Sequence, residues 1–305
     1  MSAIVKACNY TNTPKNTGKV CDTAMVATAM LIAVQSGLKF DDTDLEDPVQ
    51  WLTTLIHQKK AFPLFGHKAP IREIKNESEG DQMVTLDDGL KVFMRYGAYN
   101  RTMSTTNGGL RYADALQSFL NRGFDIIEID QQGQMLARRN NDGTYSPLIT
   151  DFMHSPAPTL ADFKSTPYKN HFSYSFSPIE LVQNGIIFKG AEALLSMMGL
   201  IDVEITKPSA STTTKLKIGA QTLSGEDLVV SLSANIATAS NFIVKEGTTT
   251  VPISAAAIVS GVIELTGTFT SGHTYRVYGA SPEVWLGNSI EGYDASGSYV
   301  DIAIP

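Results

Sequence analysis

Short apolar runs with a period of two recur through the last third of the chain. In DLVVSLSAN, Leu228, Val230 and Leu232 alternate with Val229, Ser231 and Ser233. In NFIVKEG, Phe242 and Val244 oppose Ile243 and Lys245. GVIELTGTF puts Ile263, Leu265 and Phe269 on one parity, and HTYRVYG sets Tyr275 and Val277 against Arg276 and Tyr278. Gly, Ser, Asn or Pro bounds each run. A period of two at short spacing specifies half-buried strands, and strands separated by turns specify an antiparallel sandwich. About six or seven strands in this span fit an immunoglobulin-like module, without the Cys…Trp…Cys framework of antibody domains.

Upstream the text differs. Charged residues, aromatics and helix-like spacings are frequent before residue 207, and Thr, Ser, Ala, Val, Ile and Gly dominate after it. KPSASTTTK (Lys207 to Lys215) reads as the junction. The expected division is a β-rich domain over 1–206, an Ig-like β-sandwich over 207–280 and a C-terminal strand segment over 281–305, where SYVDIAIP alternates.

The first part is mainly β with α+β character. TAMVATAMLIAV (Thr23 to Val34) is a buried strand or helix. DPVQWLTTLIHQKKAF (Asp47 to Phe62) starts with an acidic cap and Pro48, and places Trp51, Leu52, Leu55 and Ile56 on one helical face. RYADALQSFLNRGF (Arg111 to Phe124) does the same with Ala115, Leu116, Phe119 and Leu120, with Gly123 as its stop. FDIIEIDQQGQMLARRNNDGTY reads as strand, turn at Gln131-Gln132-Gly133, strand, then turn at Asn141-Asp142-Gly143. A helix is expected over Ala191 to Met198 between strand-like ends.

Several constellations invite a chemical reading. Asp87-Asp88-Gly89 sits between Met83-Val84-Thr85-Leu86 and the alternating Leu90, Val92 and Met94. Asp-Gly between two such runs is a hairpin turn, because both residues tolerate positive φ. A calcium loop needs oxygen donors at alternating positions over about a dozen residues, and these flanks are apolar. DDTDLED (Asp41 to Asp47) lacks the bend glycine of a calcium loop and reads as a solvated loop whose acids favour the following helix N-terminus. His57, His67, His154, His171 and His273 form neither an i, i+4 pair nor an HExxH. Cys8 and Cys21 are the only cysteines. They lack the further ligands of a zinc site and read as thiols in a reducing compartment, with a mutual disulfide or a lost metal site as alternatives. No GxSxG elbow, P-loop or GxGxxG is present, and Asn107-Gly108-Gly109 substitutes for none of them. The expected assignment is therefore no catalytic, cofactor-binding or metal residues, no cofactor and no enzymatic activity.

Charge and hydropathy narrow the classes further. The net charge of −7 argues against nucleic-acid binding as the main task, since that normally needs a basic footprint. No apolar run reaches the roughly 18–20 residues of a membrane span, and no export leader is recognised.

The segment VVSLSANIATASNFIVKEGTTTVPISAAAIVSGVIELTGTFTSGHTYRVYG resembles the bacterial Ig-like modules appended to phage and surface proteins. CNYTNTPKNTGKVCDTAMVATAMLIAV, together with IREIKNESEGDQMVTLDDGLKVFMRYG followed by RYADALQSFL, resembles structural virion proteins of tailed phages of Bacteroidetes, including the crAss-like group. The order of hairpin, helix and strands is similar to tail-tube and tail-ring proteins. The resemblance implies a tail-tube-like β-sandwich or barrel with one or two packed helices and an Ig-like sandwich. It implies a homo-oligomeric ring that contacts other tail or connector proteins. DNA passes through such a ring as transient cargo, and the Ig-like module faces outward, free to meet a host surface glycan. The protein would be made in the host bacterial cytoplasm and end in the virion. An acidic bore would let DNA slide. Two other readings remain: a cell-surface or secreted adhesin-like binding protein, which an export signal would favour, and a tail-associated hydrolase, which paired carboxylates in a cleft would favour.

Overall fold

The computed structural model describes residues 25–67, 69–78, 80–87, 89–120, 123–162, 167–177, 181, 184–189, 192–232 and 235–305. Cys8 and Cys21 lie outside the described residues, and with them the question of their pairing. The chain is mainly β, with several antiparallel sheets and few helices. It divides into two compact units, 1–198 and 199–305.

In the first unit the strands are β1 (Thr28–Gln35), β2 (Ala61–Phe65), β3 (Glu73–Ser78), β4 (Gln82–Thr85), β5 (Lys91–Arg95), β6 (Tyr99–Thr105), β7 (Phe124–Asp130), β8 (Met135–Arg139), β9 (Tyr145–Ser146), β10 (Phe152–His154), β11 (Asn170–Phe176) and β12 (Gly185–Phe188). One sheet runs β12-β8-β7-β1-β2 with β9 on β8; a second runs β10-β11-β6-β3. Both parities of β1 and β7 are buried, which explains the near-continuous apolar text MLIAV. Leu31, Ala33 and Ile126 face the second sheet and share a core with its Met103, Phe172, Tyr174 and Phe176. The opposite parity carries Met30, Ile129, Met135 and Phe188 in one cross-strand row. Phe40 packs over that side, 6.1 Å from Phe188 and 4.7 Å from Trp51 between ring centroids.

Trp51 belongs to α1 (Pro48–His57), which begins where Asp47 accepts from the Gln50 amide at 3.0 Å. The helix is shorter than the expected 47–62. Lys59 takes φ +57, Lys60 N–H donates to the Leu55 carbonyl, and Ala61 opens β2. A left-handed residue after the last turn is how many helices stop, although Gly usually fills the place. The second helix, α2 (Gly109–Gln117), buries Leu116 in the core between the sheets; it ends at a Ser118 cap, well short of Gly123, the expected stop, which takes φ +67 just before β7. Glu192–Ser196 forms only a 3-10 turn where a helix over 191–198 is expected.

A buried ionic cluster crosses the core of the first unit. Glu128 of β7 is fully buried. Its carboxylate accepts from the Thr28 hydroxyl at 2.8 Å, from the Arg101 guanidinium of β6 and from the Tyr174 hydroxyl of β11. Burial, then the Glu128 charge, hold the Tyr174 phenol well above its ordinary value, so it stays a neutral donor. The strands that supply Arg101 and Tyr174 belong to the second sheet, so the cluster ties the two layers in one register.

The second unit contains β13 (Ile201–Thr206), β14 (Lys215–Thr222), β15 (Phe242–Glu246), β16 (Thr249–Val251), β17 (Ala255–Val259), β18 (Val262–Thr266), β19 (Thr274–Gly279), β20 (Tyr293–Asp294) and β21 (Tyr299–Ala303). They form two sheets, β17-β18-β14-β13-β20 and β16-β15-β19-β21, around one core. Four of the expected runs are strands as read: β15, β18, β19 and β21. DLVVSLSAN is not one. Leu228–Ser231 is a helical turn, α3, whose first amides are capped by Asp227 accepting from Val229 N–H at 2.8 Å. Capping chemistry overrides period-two patterning there, and Leu228 and Val229 go into the core.

The expected boundary at 207 also shifts. β13 lies before it yet pairs with β14, Thr206 opposite Gly219, so KPSASTTTK is a loop within the second unit. Residues 281–305 are no separate segment either. Trp285 of α4 (Pro282–Gly287) is fully buried and donates its indole N–H to the Asn241 carbonyl at 3.1 Å, and Ile302 enters the same core. Composition marks a polar loop, but hydrogen-bonded pairing decides where a unit begins.

Two outcomes are expected. Residues 199–305 expressed alone unfold in a single cooperative transition, whereas 207–305, lacking β13, show none in urea denaturation followed by Trp fluorescence. Arg101→Met in the full chain costs about 3–5 kcal/mol in the same measurement, because the Glu128 charge is left buried and unpaired.

Candidate interaction surface

β3 and β6 pair along their length, ending at Ser78 opposite Tyr99. β4 and β5 take up the same ribbon at Gln82 opposite Arg95, then shift by one residue at a bulge before Met83. The β4–β5 hairpin is thus the continuation of the β3–β6 ribbon past the end of its four-stranded sheet. At about 3.3 Å per residue it extends roughly 20 Å. Its tip lies between Leu86 and Leu90. Leu86 N–H donates to the Leu90 carbonyl and Gly89 N–H to the Leu86 carbonyl, both at 2.8 Å, with Gly89 at φ +82. That is a three-residue loop with a left-handed glycine. Asp87 is exposed on it; Asp88 lies outside the described residues.

Among the described residues neither face of this arm is covered. Met83 and Phe93 are cross-strand partners on one face, and Val84 and Val92 on the other. Met83 is 57% exposed, Phe93 45%, Val84 44%, Met94 62%, and Leu86 and Leu90 at the tip are similarly open. The Phe93 ring meets Tyr96 at a T-shaped angle, 4.6 Å between centroids, and Tyr96 is itself exposed. A two-stranded hairpin alone is marginal in water, and contiguous exposed apolar residues mark an interaction surface. The alternation that predicted a hairpin carries this signal too, since apolar residues occur on both parities.

The second sheet of this unit turns a polar face away from the core. Its cross-strand rows are Glu73-Ser104-His171, Lys75-Thr102-Ser173-His154 and Glu77-Asn100-Ser175-Phe152. Lys169 spans the first row to reach Glu73 at 2.8 Å, which holds that carboxyl below its ordinary range. His171 meets the Thr159 hydroxyl at 2.8 Å, and burial followed by the Lys169 charge lowers its pKa.

The other sequence-level candidates are engaged locally. In the acidic run, Asp41 accepts from the Thr43 amide at 2.8 Å, Asp44 from the Asp41 amide at 3.0 Å, and Asp42 from the Tyr145 hydroxyl at 2.9 Å. His57 is buried with Nδ1 2.8 Å from the Thr53 carbonyl oxygen; His67 and His154 are exposed; His273 pairs with Glu246. Asn107-Gly108-Gly109 opens α2, and Gly108 takes φ +98 against Tyr112, where an added Cβ would lie 2.5 Å from that side chain. Among the described residues no three His, Cys, Asp or Glu side chains gather as a metal set, and no helix is long and apolar enough to cross a membrane.

On the second unit, Glu264 of β18 lies almost covered on the outer face, 7% exposed, between Lys215 and Lys217, whose Nζ is 3.6 Å away. The Lys215 hydrogen bond depresses its pKa below the ordinary value of 4.5. A scan of protein-family models and a search of curated proteins each return no match to this chain.

A depressed carboxylate pKa contributes stability above its ordinary value and loses it as pH falls through the folded value. Residues 199–305 therefore lose thermal stability as pH falls below about 4.5. Glu264→Gln unfolds at lower temperature at neutral pH, and the gap to wild type closes in acid, as read by melting curves across pH.

Proposed function

We propose that this chain is a non-enzymatic structural protein of a phage virion, self-assembling into a tail tube or a tail or connector ring. The supporting observation is the β4–β5 arm. It projects from its sheet with large apolar side chains bare on both faces, and a ribbon of that kind gains its stability from a neighbour that covers it. A surface repeated on every copy is most simply covered by another copy, and contacts between unlike patches close into rings when the rotation permits.

The resemblance to tail-tube and tail-ring proteins supplies the setting. In this reading the first unit is the tail-tube-like body and the second an Ig-like sandwich facing outward. The largely polar face of the β10-β11-β6-β3 sheet suits the wall of a channel through which DNA passes without sticking, and the net charge of −7 works in the same direction.

Light scattering and negative-stain microscopy of the purified protein test the proposal. Closed rings or stacked tubes of several subunits are expected, with the fraction assembled rising with protein concentration. A monomer at every concentration that binds glycans would instead favour the adhesin reading.

A further inference from the structure

The polar face of the β10-β11-β6-β3 sheet carries a group of ionisable side chains that neither the arm nor the core uses. Glu73 of β3, Ser104 of β6 and His171 of β11 stand in one cross-strand row. The Glu73 carboxylate pairs with Lys169 at 2.8 Å and lies 3.8 Å from Lys75. Lys169 precedes β11, so its side chain crosses the β6 position to reach β3. Beneath that crossing Ser104 is 3% exposed, and its hydroxyl has no hydrogen-bond partner among the described residues. Lys169 also forms a rung beyond the β10–β11 ladder. Its amide donates to the Thr159 carbonyl at 3.0 Å, and the Thr159 amide donates to its carbonyl at 2.9 Å. The Thr159 hydroxyl meets His171 Nε2 at 2.8 Å. The chain around Thr159 is therefore held by one isolated rung, by a histidine, and by a lysine whose own anchor is a carboxylate.

We propose that the Glu73–Ser104–His171 row is a proton-operated latch: on taking up a proton, His171 displaces Lys169 from Glu73, and the Thr159–Lys169 rung opens. The charges that act on His171 are Lys169, Lys75 and Glu73. Ser104 and Thr102 on β6 and Thr159 on the adjoining chain are uncharged, and His154 of β10 stands opposite Ser173, in the neighbouring row. Protonation thus sets three cations around one carboxylate. Exchanging one cation for another relieves the crowding. Glu73 and His171 are two strand spacings apart, about 10 Å, and the residue between them is a serine, small enough for an imidazole and a carboxylate to meet above it. The orphan Ser104 hydroxyl gains a partner there, which removes a buried unsatisfied group. The direction follows from the same arrangement. Burial first, and then the Lys169 charge, hold His171 below its ordinary value of 6.5. The latched state therefore binds this proton less readily than the open one, and its stability is lost as pH falls below about 6.5. Glu73, held low by its Lys169 hydrogen bond, stays ionised in that range and is available to the imidazolium. A local charge change biasing a two-state segment is a common form of pH sensor. This latch is independent of the assembly reading.

The test is hydrogen exchange of the full chain between pH 7.5 and 5.5, corrected for the intrinsic pH dependence of exchange. In wild type the Thr159 and Lys169 amides are expected to exchange roughly tenfold faster at the acid end, since one unit of pKa difference between the two states is a tenfold change in opening. The amides of the β6–β11 ladder hold their rates. His171→Gln, which keeps a neutral hydrogen-bonding group beside Thr159, abolishes the acid response. Lys169→Met leaves Glu73 to the histidine, and imidazole NMR then shows the His171 pKa raised relative to wild type. Melting curves at pH 7.5 check that both variants fold. The wild-type measurement needs no variant, and a flat exchange profile at Thr159 and Lys169 overturns the latch. An acid response that survives in His171→Gln removes the histidine as its trigger, and a His171 pKa unmoved by Lys169→Met removes the exchange of partners on Glu73; either result also defeats the proposal.

Discussion

A two-stranded ribbon with apolar residues on both faces has no satisfactory state on its own. Sheets gain from burying one face at least, and three or more strands are normally needed before that burial outweighs chain entropy. The β4–β5 arm has two strands and buries neither face. The rest of the first unit bears on how that ribbon is held out. The β3–β6 pair gives it a rigid root, in the same register at Ser78–Tyr99 and Gln82–Arg95. The left-handed Gly89 closes its tip so that both strands extend fully.

The root is rigid because the first unit is locked from within. β6, which continues into the arm, carries Arg101 into the core to meet Glu128 of the other sheet. A buried pair of this kind adds little net stability over an apolar substitute, yet it penalises any slip of one sheet against the other. A one-residue slip of β6 would turn Arg101 outward and strand the Glu128 carboxylate. The direction of the arm is thereby tied to the alignment of the two layers. Asp87 lies exposed at that tip.

The second unit shows how local chemistry and pairing share the work. Its alternating runs become β15, β18, β19 and β21, with the expected parities buried: Val244, Ile263, Leu265, Tyr275 and Val277. Leu228 to Leu232 alternates equally well but coils, because Asp227 caps the turn and the chain must pass from one sheet to the other. At the opposite end, β17 keeps an open edge of small residues. One cross-strand row runs from its Ala257 through Glu264, which is shared by two lysines, to Lys217.

The sequence alone settled the elements whose cause is local. The hairpin at Asp87-Asp88-Gly89 follows from turn chemistry between apolar runs, α1 from its Asp47 cap and Pro48, and the late strands from their alternation. Only the tertiary structure decided what depends on partners distant in the chain. It ended α1 at His57, moved the unit boundary ahead of β13, and drew Trp285 into the core. It also brought Thr28, Arg101 and Tyr174 onto one buried Glu128, residues with no shared motif. The same holds for the interaction surface. Apolar residues on both parities are visible in the text, but a buried central strand and an uncovered arm are written alike. Solvent exposure, a property of the whole fold, separates them.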